Sequence, residues 1–493
     1  MICSILLFAL AQQTVGQLVQ SDPAPFDEFG SAVDIDGDVA VVGAHSKPIN
    51  GNNFAGAVYV YRRTAGVWSQ EAKLTAPNPE VHDNFGTSVA IQGDVLVVGA
   101  PDFPVSSFNG TGRAWVFRKV AGVWGVEQEL VPSQASQDAG SGRAVALDGN
   151  TIIVNTAALP RLSPTLATVW DFNGTTWSQT DSILSPAGTL FAQVLQLQGE
   201  RLAIGSPVED EAGLPAVGAV YLYERQAGVW NIIQRFTAPM PTDSELFGTG
   251  FDFEGDLFVA GAPNVDFQGE QASGVVYVFR ETAGTWQLEA ELLTSRPQTF
   301  ASFGDIISVD GGRFLAASST ISSGSPVDSG AGYLFQKFGQ QWAGGDAMYD
   351  ENGSRFQGMG LSSAMSGSTA LFGTFQGKVI VFDLDSGFRL HGPAPSSQLK
   401  ADNFNTMQVS GAAPSQNIWL AMSLSGFGTT HVGGLGVTLN LNGPSQFGAQ
   451  EVADANGKAS WTFFVPSGAE DRTAWWQAIQ VGSLSNGIAT FIR

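Results

Sequence analysis

The stretch FGSAVDIDGDVAVVGA, beginning at Phe29, returns nearly unchanged as FGTSVAIQGDVLVVGA at Phe85 and as FGTGFDFEGDLFVAGA at Phe247. Weaker copies begin at Ser141, Phe191, Phe303 and Met359, so the seven copies follow one another at intervals of 56, 56, 50, 56, 56 and 56 residues. A fixed period of this length belongs to chains built from one repeated supersecondary unit. Such a unit cannot bury its apolar face alone and must stack on its neighbours.

Inside each copy apolar and polar residues alternate, the pattern of a half-buried strand. They flank a tight turn whose glycine is kept throughout, as Gly37, Gly93, Gly149, Gly199, Gly255, Gly311 and Gly367. A two-residue hairpin needs positive φ there, which glycine adopts without steric penalty. A variable loop then leads to a third strand with aromatics at i and i+2: Tyr59/Tyr61, Trp115/Phe117, Trp170/Phe172, Tyr221/Tyr223, Tyr277/Phe279 and Tyr333/Phe335. Both rings of a pair point to one face of the sheet. A second hairpin opens a fourth strand at Trp68, Trp124, Trp177, Trp230, Trp286 or Trp342. Each copy is therefore predicted to be a four-stranded antiparallel sheet.

A buried ring hides about 150–250 Å² of surface, and sheets arranged side by side in a circle hide every aromatic face. The expected fold is all-β: a seven-bladed β-propeller of four-stranded antiparallel blades over residues 12–390, followed by a small C-terminal β-sandwich. An open solenoid would need polar capping repeats, which are not evident. The seventh copy runs through GKVIVFDL and lacks a tryptophan-led fourth strand. Counting back eleven residues from the start of each copy gives Leu18, Leu74, Leu130, Thr180, Phe236, Leu292 and Met348, six of them apolar. Leu18 precedes the first full copy, so residues 16–20 are expected to form the outer strand of the seventh blade and latch the ring. The competing arrangement covers that edge with residues 388–391. Residues 391–395 (HGPAP) read as a linker. Residues 396–493 alternate short β-like runs with turns such as Asn442-Gly443 and Asn456-Gly457. Trp461, Trp475 and Trp476 are read as packing residues there, with a carbohydrate platform as the alternative.

Phe-Gly is paired with Gly-Ala-Pro across the first hairpin, as in Phe85-Gly86 with Gly99-Ala100-Pro101 and Phe247-Gly248 with Gly261-Ala262-Pro263. This pairing resembles the FG-GAP repeat. The resemblance covers about residues 17–384 and implies the seven-bladed propeller head of integrin α subunits and of many secreted bacterial proteins. Some copies depart from it. Gly43-Ala44-His45 lacks the proline, Asn155-Thr156 replaces Gly-Ala, and Ala317-Ser318-Ser319 and Gly373-Thr374-Phe375 are further removed. Integrin-type blades also wrap Ca²⁺ in a run of Asp/Asn between strands one and two, where this chain has a bare hairpin. Asp34, Asp36 and Asp38 come nearest, but Ca²⁺ takes six to eight oxygens. No cofactor is expected, Ca²⁺ at those three aspartates being the one admitted exception.

Residues 2–11 are apolar and end in Ala9-Leu10-Ala11, a pattern a signal peptidase accepts, so residues 1–11 are read as a signal peptide. A buried first strand is the alternative. Cys3, the sole cysteine, lies inside this segment, so the mature chain would form no disulfide. No other apolar run reaches the roughly 18 residues that span a bilayer. The chain carries 45 Asp+Glu against 23 Lys+Arg, a net charge of -22, which disfavours nucleic acid and anionic lipid as partners. Secretion or the cell surface is the expected setting, and a monomer the expected state.

Antiparallel alternation puts the two tight hairpins of each blade on one face of the disc and the long connections on the other. The long-loop face collects Glu80, Asp83, Asp102, Glu209, Asp210, Glu211, Asp243, Glu245, Asp266 and Glu270. These suit a cationic partner or bridging cations, or serve solubility. The residue after each Phe-Gly position should line the channel mouth: Ser31, Thr87, Arg143, Gln193, Thr249, Asp305 and Leu361. Only Asp305 is acidic, whereas a glycosidase needs two carboxyls within about 5–10 Å. Arg143 and Asp305 suit a small zwitterion or each other. His45 and His82 lie on adjacent loops and with Asp83 make a conceivable metal site. No nucleophile elbow, phosphate-cradling loop or zinc spacing is present. The functional reading is a non-enzymatic binding or adhesion protein that takes a protein or glycan ligand on the long-loop face. The alternatives are a propeller-fold lyase or hydrolase acting in the channel, and a structural envelope protein.

Overall fold

The computed structural model describes residues 14–491 apart from 102–110, 134–139, 157–165, 187–190, 193, 268, 295–298, 319–329, 339–340, 349–359, 375–376, 385–388, 392–402, 411–414, 416, 424–426, 433–436, 442–444, 455–457, 466–472 and 481–482. The signal-peptide segment thus lies outside the described residues. The described elements are all strands. Seven four-stranded antiparallel sheets correspond to the seven copies. Blade 1 runs Phe29–Asp36, Val39–Ala44, Ala57–Thr64 and Val67–Leu74 in spatial order. The first strands of successive blades touch one another in turn and the seventh touches the first, so the ring is closed with these strands innermost. The seven hairpin glycines all lie at φ between +54° and +63°, as the two-residue turn requires.

The last blade consists of Ser363–Ser366, Thr369–Gly373 and Val379–Asp383, completed by the amino-terminal strand Thr14–Leu18. Gly16, Gln17 and Leu18 pair with Val381, Ile380 and Val379. The latch is therefore present, starting and ending two residues earlier than expected. Leu18 is 2% exposed and packs with Phe29, Tyr59 and Tyr61 of blade 1 and with Leu371, Val379 and Val381 of blade 7. Tyr61 Oη donates to the carbonyl of Val19 at 2.8 Å and Lys73 reaches Asp22 at 2.6 Å, pinning the chain where it leaves the latch. The rival segment is engaged elsewhere: Arg389–His391 pairs with Asn403–Ser410.

Each blade has a face of rings and a face of small aliphatics. The Phe of Phe-Gly sits edge-on to third-strand rings, with centroids 5.4 Å apart for Phe29 and Tyr59, 5.8 Å for Phe85 and Phe117, and 5.5 Å for Phe303 and Tyr333. Val39, Val41, Val58 and Val60 of blade 1 pack against Phe85, Trp115, Phe117 and Trp124 of blade 2. Large rings thus fill the hollows between β-branched side chains, the alternation that close packing favours.

The Phe-Gly and Gly-Ala positions lock successive blades together. Within a blade, Gly86 N–H donates to the Gly99 carbonyl, and Gly248 to Gly261, both at 2.9 Å. Between blades, a Cβ on Gly99 would stand 1.9 Å from the carbonyl oxygen of Gly142, and one on Gly261 would stand 2.0 Å from that of Gly304. Gly373 meets Gly30 in the same way at 1.9 Å, joining the seventh blade to the first. Asn155 replaces this glycine in blade 3, and its Nδ2 donates to the Ala192 carbonyl at 2.8 Å.

Blade 3 corrects two sequence expectations. Trp170 pairs with Ile152 and Gln179 as Tyr61 pairs with Ala40 and Gln70, so Thr168 and Trp170 hold the two ring positions and Phe172 stands one pleat beyond. The Trp170 indole N–H donates to Thr168 Oγ1 at 3.1 Å. Likewise Ile183, 7% exposed, aligns with Leu74, and Thr180 does not. The cause is the 50-residue interval, which shortens two loops instead of one. Ala44 to its partner Ala57 is thirteen positions, Thr156 to Leu166 ten. Leu74 to Phe85 is eleven, Ile183 to Phe191 eight.

Beyond the propeller, Arg389–His391, Asn403–Ser410 and Ala459–Val465 form one antiparallel sheet. Ser445–Val452, Asn417–Ser423, Thr473–Gln480 and Ser483–Phe491 form another. Trp461 is 5% exposed, a packing residue. The side chains of Trp475 and Trp476 lie outside the described residues.

Candidate functional site at the channel mouth and loop face

On the hairpin face the aspartates singled out for calcium bind backbone amides. Asp34 accepts the N–H of Ile35 at 2.8 Å and that of Ile91 in the next blade at 2.7 Å. Asp36 accepts from Gly93 at 2.6 Å, and Asp38 pairs with Arg63 at 2.6 Å. The Asp36 bond is one of seven. Gln92, Asp148, Gln198, Glu254, Asp310 and Ser366 accept in turn from the N–H groups of Gly149, Gly199, Gly255, Gly312, Gly367 and Gly37. A continuous belt of hydrogen bonds therefore links all seven turns. Asp252 repeats the Asp34 arrangement, accepting from Phe253 at 2.8 Å and Val309 at 2.7 Å. Burial pushes Asp34 up to about 6 and Asp252 to about 7, against the lowering effect of these donors. Among the described residues no group of three or more His, Cys, Asp or Glu is placed to hold a metal.

Four of the residues after Phe-Gly, expected at the channel mouth, share one local geometry. The N–H groups of Ser31, Thr87, Thr249 and Asp305 donate to the carbonyls of Glu28, Asn84, Leu246 and Ser302 at 3.1–3.2 Å. Thr87 and Thr249 turn their hydroxyls onto the same carbonyls, both at 2.8 Å. Leu361 N–H reaches the carbonyl of Gly373. Burial lowers the pKa of Arg143. Gln193 lies outside the described residues.

Ser31 differs from its counterparts. Its Oγ lies 2.9 Å from His45 Nδ1, and His45 Nε2 lies 2.7 Å from Glu28 Oε2. Burial holds the imidazole below its ordinary pKa, opposed by the Glu28 carboxylate. Periodicity singles out Ser31 but neither of its partners. The available signal was His45 itself, at a position where Pro101, Pro207 and Pro263 stand in other copies.

His82 has a separate environment, stacked on Phe54 with centroids 4.9 Å apart and planes at 11°. Asp83 accepts the Glu80 N–H at 2.7 Å, and burial raises its pKa. The long loops of blades 1, 4 and 5 fold alike, each closed by a bridge: Ile49 to Asn52, Glu211 to Leu214, Phe267 to Glu270. Many loop-face carboxylates hold those loops in shape. Asp210 and Asp266 accept from Ala216 and Ala272 at 2.9 and 2.8 Å, Glu209 binds Tyr221 and Arg235 at 2.8 Å each, and Glu245 caps Thr242 at 2.8 Å. Asp102 lies outside the described residues. Among the side chains that project are three aromatics: Phe26 is 93%, Phe300 62% and Phe54 42% exposed. Phe26, His82, Ser244 and Phe300 occupy the third position before Phe-Gly and all have φ between +59° and +69°. The repeat turn thus presents whichever side chain stands there.

Residues 13–61 and 68–117 match the FG-GAP repeat. No curated protein matches the chain. Among solved structures, the computationally designed Ika8 protein is similar at 13% identity and a TM-score of 0.43, over 75% of this chain and all of that one. PorZ, an essential bacterial surface component of the type-IX secretion system of Porphyromonas gingivalis, is similar at 10% identity and a TM-score of 0.48. That match covers 97% of this chain and 61% of PorZ. The chain is a closed seven-bladed β-propeller whose first two blades match the FG-GAP repeat.

Proposed function

We propose that the protein is an extracellular binding or adhesion protein whose long-loop face takes a protein or glycan partner. The observation that carries this is the exposed Phe26, Phe54 and Phe300, held among braced acidic loops on one side of a rigid disc. Exposed aromatics on ordered loops are unusual on a surface that serves solubility alone, and they supply contact area at low entropic cost. The surrounding carboxylates favour partners that present cationic or hydroxyl groups. No helix of the described residues is long and apolar enough to cross a membrane.

The test is a glycan array and a pull-down from surface extracts, comparing the protein with a Phe26→Ser, Phe54→Ser, Phe300→Ser variant of matched thermal stability. Loss of at least about tenfold in affinity is expected, since removing a central aromatic anchor commonly costs 1–2 kcal/mol or more. A partner retained at full affinity by the triple variant would exclude the loop face. The lyase or hydrolase alternative has one observation in its favour, the Ser31, His45 and Glu28 contacts.

A further inference from the structure

We infer that Ser31, His45 and Glu28 form a nucleophilic triad at the channel mouth, with Ser31 acylated by an uncharged carboxylic ester. A serine becomes a nucleophile when a neutral imidazole lies within hydrogen-bond reach and a third group fixes the tautomer of that imidazole. Both contacts are present, at 2.9 Å and 2.7 Å. The Glu28 carboxylate can only accept, so it holds the proton on Nε2 and leaves the Nδ1 lone pair facing the serine hydroxyl. The imidazole is enclosed enough to remain neutral, with 23% of its side chain exposed, and Glu28 is 52% exposed. The group is therefore reachable from solvent.

The other blades show that the repeat does not impose this arrangement. Thr87 and Thr249 bond main-chain carbonyls at the position of Ser31, and prolines stand at the position of His45 in blades 2, 4 and 5. The left-handed conformation of Glu28, φ 56°, recurs at Asn84, Leu246 and Ser302. It is a property of the turn, and only in blade 1 does it carry a carboxylate toward a histidine.

In the step, Ser31 Oγ forms a bond to the ester carbonyl carbon as its proton passes to His45 Nδ1. The tetrahedral adduct collapses, the bond to the alcohol oxygen breaks, and that oxygen takes the proton from Nδ1. Water then adds to the acyl group by the same route, releasing the carboxylic acid and restoring Ser31. An uncharged ester is favoured because Glu28 and the net charge of -22 repel anions.

The test treats the full-length protein with a fluorophosphonate probe and maps the adduct by peptide mass spectrometry. A single adduct at Ser31 is expected, absent in Ser31→Ala and formed about 100-fold more slowly in His45→Gln, the usual contribution of a general base. Thermal melts of each variant separate a lost nucleophile from a lost fold. A stoichiometric burst of p-nitrophenolate from p-nitrophenyl acetate is a second readout that needs no variant. No adduct, an adduct at another residue, an unchanged rate in a folded His45→Gln, or absence of the burst would overturn the assignment. Loop-face binding is unaffected by any of these results, so the two readings fail separately.

Discussion

A β-carbon on Gly373 would stand 1.9 Å from the carbonyl oxygen of Gly30, so blades 7 and 1 would have to move apart to admit it. Gly373→Ala is expected to destabilise the fold by about 3 kcal/mol, read as a lower urea midpoint. Gly16→Ala, whose added Cβ would meet nothing within 4 Å, should change the unfolding free energy by less than about 0.5 kcal/mol. Asp252 gives a pH-dependent prediction. Its folded pKa is raised to about 7 from 3.8, so between those values the folded state holds a proton that the unfolded state has lost. Its contribution to stability is present at low pH and is lost as pH rises through about 7. Asp34, raised to about 6, acts in the same direction. Urea midpoints measured from pH 6 to 8 should fall with pH, and the fall should be smaller in Asp252→Ser, which installs the residue found at the equivalent Ser308. An unchanged slope in that variant would show that Asp252 is ionised throughout.

At the scale of the strand, closure rests on Thr14–Leu18. Leu18→Ala is expected to cost about 2–4 kcal/mol, the range for a buried leucine. Deleting residues 12–20 would expose the edge of Val379–Asp383, so the melting temperature should fall and size-exclusion chromatography should show new oligomers formed through that edge. The latch was legible because an unpaired blade and an orphan apolar segment stand at opposite ends of the sequence. The register of blade 3 was not. Its missing residues are divided between two loops, and counting from one landmark, Phe191, overshoots Ile183 by three residues to Thr180 within the same strand. Trp170 likewise looked like the first ring of a pair because Phe172 follows at the right spacing. Only pairing with Ile152 shows that Thr168 fills the first position.

Around the whole ring, one side chain of each hairpin turn accepts an amide from the next blade, and these bonds are expected to hold the turns together without Ca²⁺. Chelation with EDTA is expected to leave the melting temperature within about 1 °C, because a ligand stabilises only what it binds. A larger drop would place a structural cation in the protein.

The sequence by itself determined the blade count and the strand order within each blade, gave the aromatic faces outside blade 3, and narrowed the strand that closes the circle to two segments. All of these follow from periodicity and from apolar surface that must be buried. The tertiary structure alone decided the belt of turn-to-turn hydrogen bonds, the role of Asp34 and Asp36 as amide acceptors, and the meeting of Ser31, His45 and Glu28. Those depend on where individual polar side chains point once neighbouring blades are in contact. That is a matter of backbone angles and of distances a few tenths of an ångström wide, on which a repeating pattern of residue types carries no information.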